Sequence, residues 1–272
     1  MTALRVSDLS KVPALTLAFW IVKILATTLG ETGGDSVTMT WLGETTAQAN
    51  PNGYLIGTAI FTAALGVFVI LQVAAKKFHP FLYWATIVAS TTAGTTLADF
   101  ADRSLGIGYI GGSLMLFTLV LVSLGIWYRS EGTVSVETVN RPRVEWFYWV
   151  TITFSQTLGT ALGDWVAAPP GDVPPGMGFG YEVGALIFGV GLAIVAILYF
   201  WTRASHVLLF WAAFILTRPL GATVADFFDR PVANGGLNVS RPVASAILAM
   251  IIVGLIWIVP QRAGRHPDSA TA

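Results

Sequence analysis

The chain has 272 residues, 54% of them hydrophobic and 11% charged, with no net formal charge and no cysteine; its mean hydropathy is +0.70. Soluble domains carry about 25% charged residues, so this composition cannot cover a water-facing surface, and lipid must be the solvent for most of the chain. The charge balance excludes a broad nucleic-acid surface, and the absence of cysteine excludes disulfides and thiolate metal sites.

In chain order, residues 1–12 are polar and lack a small-residue cleavage pattern, so no removable signal peptide is expected and the first apolar segment should remain as an anchor. Apolar segments follow at 13–35, 54–73, 81–99, 107–128, 146–165, 181–201, 207–227 and 242–259. About 20 such residues cross a bilayer as a helix, and in lipid each backbone group must be satisfied within its own segment. None of the segments shows the alternation of a barrel strand. The expected fold is an all-α integral membrane protein with eight transmembrane helices in a single domain. Lys76, Lys77, Arg129, Arg141, Arg143, Arg203, Arg262 and Arg265 crowd alternate connections, with Arg5 and Lys11 ahead of the first span. The other connections are rich in Gly and Pro, although Arg103, Arg230 and Arg241 sit there. The positive-inside rule therefore puts both termini in the cytoplasm. His79, His206 and His266 all lie beside helix ends, which argues against a histidine metal cluster.

The odd-numbered spans share a marker. Trp20, Trp84, Trp149 and Trp211 are spaced 64, 65 and 62 residues apart. Each follows an aromatic residue (Phe19, Tyr83, Tyr148, Phe210), with Gly ten residues later (Gly30, Gly94, Gly159, Gly221) and Asp fifteen later (Asp35, Asp99, Asp164, Asp226). The second span of the first three repeats opens Gly-Tyr with a further glycine three residues on, at Gly57, Gly112 and Gly184; repeat four offers Gly236 and Ser240. That spacing suits close helix packing. The chain is thus four tandem two-helix repeats, at about 14–76, 80–130, 145–203 and 206–262. Repeats two and four share Ala-Asp-Phe-x-Asp-Arg at 98–103 and 225–230, and repeats one and three share Gly-Asp, so the halves are 1–135 and 140–262. Each repeat has an even number of spans, so all four share one orientation and the pseudo-symmetry axis should run along the membrane normal.

With these marker tryptophans, the chain resembles a family of bacterial membrane proteins built from four tandem two-helix repeats, catalogued as a repeat of unknown function. The resemblance covers about residues 14–260 and implies the eight-helix fold and a location in the bacterial cytoplasmic (inner) membrane. It implies no activity.

The function must come from the residues. At 100° per residue, offsets 0, 4, 7, 8, 11 and 15 from each Trp fall within an arc of about 100°. Repeat one places Thr27, Thr28, Glu31 and Asp35 there; repeats two to four add Asp99, Gln156, Asp164, Arg218 and Asp226. Lipid cannot face such stripes, so the odd-numbered helices should form an inner ring around a shared cavity and the even ones an outer ring. Fifteen residues rise about 22 Å, putting the aspartates toward the outer side. The Gly-rich run 30–35 should be unwound, and Pro219 should break or kink the seventh helix. Asp102 and Asp229 should pair at the rim with the arginines that follow them, Arg103 and Arg230.

Charges in a bilayer core are costly and mark function. The repeated aspartates also suit helix capping, but Glu31, Lys23 and Arg218 each occur in one repeat only, and architecture does not require them. The lining offers carboxylates and hydroxyls, hard oxygen ligands suited to Mg²⁺, Mn²⁺, Ca²⁺ or a monovalent ion. The expected function is a transporter or channel for a small cation, with proton coupling. The candidate metal ligands are Glu31, Asp35, Asp99, Asp164 and Asp226. Glu31 would be the central site and Arg218 its partner, with Asp35 as second ligand and Thr27 and Thr28 as neutral oxygen donors to the ion. The alternative is an anion or small organic-solute carrier using Arg218 and Lys23. No catalytic motif or nucleotide loop is present, so neither an enzyme nor a cofactor is expected. The expected partners are the lipid bilayer and a small ion or solute, and a homo-oligomer fits.

Overall fold

The computed structural model describes residues 9–43 and 52–265; Arg5 and His266 lie outside them. Among the described residues, eight long helices follow one another: α1 (Leu17–Asp35), α2 (Gly53–Ala74), α3 (Pro80–Asp99), α4 (Gly108–Glu131), α5 (Pro142–Ala167), α6 (Tyr181–Trp201), α7 (His206–Asp229) and α8 (Arg241–Ile258). Local chemistry sets several of their ends. Thr16, His79 and Ser205 accept hydrogen bonds from the first-turn amides of Phe19, Leu82 and Leu208, which satisfies otherwise orphaned donors. Pro80 and Pro142 stand at helix starts, where the missing N–H costs nothing. Gly132 closes α4 with φ of 74°, a conformation that side chains disfavour. α1 and α3 each run on into a short π-helical stretch, Ser36–Trp41 and Phe100–Ser104.

Five of these helices, α2, α4, α6, α7 and α8, are long and apolar enough to cross a membrane. At 19, 20 and 26 residues, α1, α3 and α5 are also long enough; it is their polar stripes that lower their hydropathy. α1 packs on α3, α3 on α5, α5 on α7 and α7 back on α1, closing an inner ring. The even-numbered helices lie outside. Each covers the inner helix of the next repeat: α2 on α3, α4 on α5, α6 on α7, and α8 returns to α1. Their outward faces are apolar, with Ile60 and Val67 of α2, Leu114 of α4, Leu186 of α6 and Met250 of α8 all exposed.

Two of the repeated markers hold the ring together. At the Trp end, the aromatic residue of each repeat meets the Trp of the next: Phe19–Trp84 at 5.4 Å, Tyr83–Trp149 at 5.8 Å, Tyr148–Trp211 at 6.4 Å and Phe210–Trp20 at 5.9 Å between ring centroids. The collar closes across its middle, where the Tyr83 and Tyr148 hydroxyls hydrogen-bond at 2.6 Å. One level further, each marker glycine lets the next inner helix approach. A side chain at Gly30 would strike Thr91, at Gly94 the backbone of Gln156, at Gly159 Arg218, and at Gly221 Thr27.

That close packing corrects two expectations. α1 is not unwound at the Gly-rich run, and α7 is not broken at Pro219. Each helical glycine costs about 1 kcal/mol, but Gly30 and Gly34 face Thr91 and Thr95 of α3 across close contacts of the ring, and the packing outweighs propensity. Pro219 lies against Gly159 and Gly163, which leave room for its ring.

A small sheet ties the chain ends. β1 (Leu9–Pro13) pairs antiparallel with β2 (Ala263–Arg265) on the Trp face of the ring. Lys11 of β1 donates to the Gln72 and Val73 carbonyls at the end of α2 and pairs with Glu145 at 2.6 Å.

Candidate functional site

On the ring axis, one level beyond the glycines, the four inner helices each contribute one polar side chain to a single knot. Arg218 Nη2 of α7 lies 2.7 Å from Glu31 Oε2 of α1 and 2.7 Å from Thr95 Oγ1 of α3. It also hydrogen-bonds Thr160 Oγ1 of α5. The Thr95 and Thr160 hydroxyls reach the same Glu31 oxygen at 3.2 and 3.3 Å. The expected Glu31–Arg218 partnership therefore exists, and both side chains are buried: Glu31 is 2% exposed and Arg218 0%. The shared cavity foreseen from the stripes is, at this level, filled by the guanidinium.

Beyond the knot lies a ring of carboxylates. Asp35, Asp99, Asp164 and Asp226 are all buried. Arg103, just past α3, bridges Asp99 and Asp164, each at 2.9 Å. Arg230 Nε donates to Asp226 Oδ1 at 2.9 Å. Arg241 lies 3.3 Å from Asp229 and 3.9 Å from Asp35. Two triads emerge, Glu31 with Asp164 and Asp226, and Asp35 with Asp226 and Asp229. In each triad one oxygen per residue lies within 4.8 Å of the others. Such all-oxygen sets match hard cations.

Several assignments change. The rim pairs Asp102–Arg103 and Asp229–Arg230 do not form. Adjacent residues on a helix point about 100° apart, whereas residues four apart are neighbours, so each arginine reaches back to Asp99 or Asp226. Thr27 and Thr28 make no hydrogen bond to Glu31 among the described residues. Their hydroxyls bond to the backbone carbonyls of Ile24 and, for Thr27, Thr217. Thr95 and Thr160 hydrogen-bond Glu31 because they stand on its level. Gln156 is buried, and its amide lacks a hydrogen bond. Lys23 packs its ammonium 4.1 Å over the Phe214 ring, with no hydrogen-bond acceptor.

Thr95, Thr160, Asp229 and Arg241 also line the site and are not among the candidates read from the sequence. For Asp229 the signal was present: it stands eighteen residues after Trp211, five full turns, and so within the stripe. Arg241 carried no signal, because only the packing of α8 on α1 brings it there. The Gly-Tyr markers also hold more than packing glycines. Tyr109 and Tyr181 present their rings to Arg103 and Arg230 at 5.7 Å, favourable cation–π placements.

No curated protein and no solved structure matches the chain. The family profile described as Repeat of Unknown Function (DUF347) matches four times, over residues 18–78, 82–133, 147–205 and 209–263. The matches start within two residues of the four marker tryptophans and span nearly the whole helical body, so the chain belongs to the DUF347 family of repeat proteins.

Proposed function

We propose that this protein carries a small hard cation, Mn²⁺ or Mg²⁺ among divalent ions or else a monovalent ion, across the bacterial inner membrane. In this reading all eight helices span the bilayer and both termini are cytoplasmic. The four repeats are related by a pseudo-fourfold axis along the membrane normal, and that axis is the transport path. The observation that carries the reading is the buried triad Glu31, Asp164 and Asp226, whose oxygens cluster within 4.8 Å beside the Arg218 guanidinium.

A cation arriving through the carboxylate ring competes with Arg218 for Glu31. Protonation of Glu31 competes with both, which is the simplest physical route to proton-coupled exchange. The aromatic collar and the β1 strap close the cytoplasmic end in this state, and Arg103, Arg230 and Arg241 stand at the outer end. The axial guanidinium and two of the three rim guanidiniums are held by carboxylates at 2.7–2.9 Å, and the third also faces two carboxylates. An incoming anion would therefore have to displace a bound carboxylate, which favours the cation over the anion reading. The assignment is transport rather than catalysis.

The test is a flux screen in proteoliposomes across H⁺, Na⁺, K⁺, Mg²⁺ and Mn²⁺. Saturable flux of one cation, lost in Glu31→Gln, is expected. Flux of none of them, or flux of an anion in their place, would overturn the proposal.

A further inference from the structure

The outer triad differs from the inner one in how its charges are met. Asp35 is 0% and Asp229 5% exposed, yet among the described residues none of their four carboxylate oxygens takes part in a hydrogen bond. Buried carboxylates that stay ionised in that condition require a positive group facing them. Here that group is Arg241, and it is poorly placed. Its Nε stands 3.3 Å from Asp229 and 3.9 Å from Asp35 and hydrogen-bonds neither. Arg230, by contrast, is committed to Asp226 by a 2.9 Å bond.

The helix does not fix Arg241 either. Arg241 is the first residue of α8, where a cation opposes the helix dipole. Its side chain is 15% exposed and so has a way out to water. Among the described residues its ionic partners are the carboxylates alone.

We infer that Arg241 is a tethered stand-in for a hard divalent cation, which binds Asp35, Asp226 and Asp229 when Arg241 withdraws. This rests on the cation reading above. Three oxygens already stand within 4.8 Å of one another. Around Ca²⁺, with bonds of about 2.3–2.6 Å, opposite ligands lie up to about 5 Å apart, whereas Mg²⁺ at about 2.1 Å needs the set to close. The spacing therefore suits an ion of calcium's size. Charge selects a divalent ion. Three carboxylates face the guanidiniums of Arg230 and Arg241; exchanging Arg241 for a divalent ion leaves the site neutral, while a monovalent ion leaves it negative. Because Arg241 belongs to α8, binding also loosens the hold of this outer helix on the rim.

The test uses full-length protein in detergent, titrated calorimetrically with Ca²⁺, Mn²⁺ and Mg²⁺. An occupant that fills the site nine-tenths of the time lowers apparent affinity about tenfold, so Arg241→Gln should bind Ca²⁺ about tenfold more tightly and Asp229→Asn much more weakly. In the wild type, phenylglyoxal modification of Arg241, read by mass spectrometry, should rise severalfold on adding Ca²⁺; this measurement decides the matter if Arg241→Gln fails to fold. Wild-type binding of a cation that Arg241→Gln leaves unchanged, or labelling that Ca²⁺ does not increase, would overturn the role of Arg241 while leaving the cation reading intact. Binding of no cation by either protein would overturn both.

Discussion

Glu31 stands where repeats two to four place Thr95, Thr160 and Ala222, and Arg218 stands one turn earlier, where repeats one to three place Thr27, Thr91 and Gln156. These two departures from the repeat form one ion pair on the axis. Removing one partner of a buried pair costs about 3–5 kcal/mol, because the other is left unpaired. Glu31→Gln keeps an acceptor for Arg218, so it should fold with a lowered melting temperature in detergent and show no cation flux. Glu31→Gln combined with Arg218→Met should recover most of the stability and none of the flux. Normal, pH-dependent flux from a folded Glu31→Gln protein would reduce the pair to a structural clasp. The Tyr83–Tyr148 bond is a smaller contribution at the same scale. Tyr83→Phe should cost about 1 kcal/mol, measured as a shift in the same melting curve.

At the scale of elements, the glycines of the inner helices separate into two kinds. A Cβ at Gly94 would stand 2.9 Å from the backbone of α5, whereas a Cβ at Gly33 meets nothing within 4 Å. Overpacking a close contact costs about 1–3 kcal/mol, while replacing an unconstrained helical glycine by alanine gains about 0.5–1 kcal/mol. Gly94→Ala should therefore lower the detergent melting temperature and Gly33→Ala should raise it slightly. Equal effects from the two would mean that helix propensity, not the approach of α3 to α5, governs these positions. The even-numbered helices show the complementary economy. Their inward faces carry the small residues, with Gly57 against Thr38, Gly112 against Asp102 and Gly184 against Thr223, and their outward faces carry the large apolar ones.

At the scale of the whole molecule, the ring closes because α8 of the last repeat covers α1 of the first, just as each earlier outer helix covers the next inner one. The paired strands β1 and β2 lie at the Trp end of the ring, next to the 136–139 connection, which accepts hydrogen bonds from Ser10 and Lys11. With eight spans, Lys77 and Asp172 fall on opposite sides of the bilayer. Single cysteines at these positions should label from opposite faces of oriented vesicles, that at 77 from the cytoplasmic face. Labelling of both from one face would sink the eight-span topology.

The sequence by itself determined the repeat, its four tryptophan–glycine–aspartate frames, the helical state and the division into polar and apolar helices. These are periodic properties, and a period of 3.6 residues writes itself into composition at fixed offsets. It also exposed the asymmetry of Glu31 and Arg218, because a repeat makes any departure from it visible. What it left open was which side chains meet across helices. The hydroxyls that reach Glu31 belong to Thr95 and Thr160, because level on the axis, not nearness along α1, decides contact. The glycine run of α1 stayed helical because α3 presses against it. Arg241 reached Asp35 and Asp229 from more than two hundred and from twelve residues away in sequence respectively, through the return of α8 onto α1. Such contacts depend on which helix covers which, and tertiary packing alone sets that.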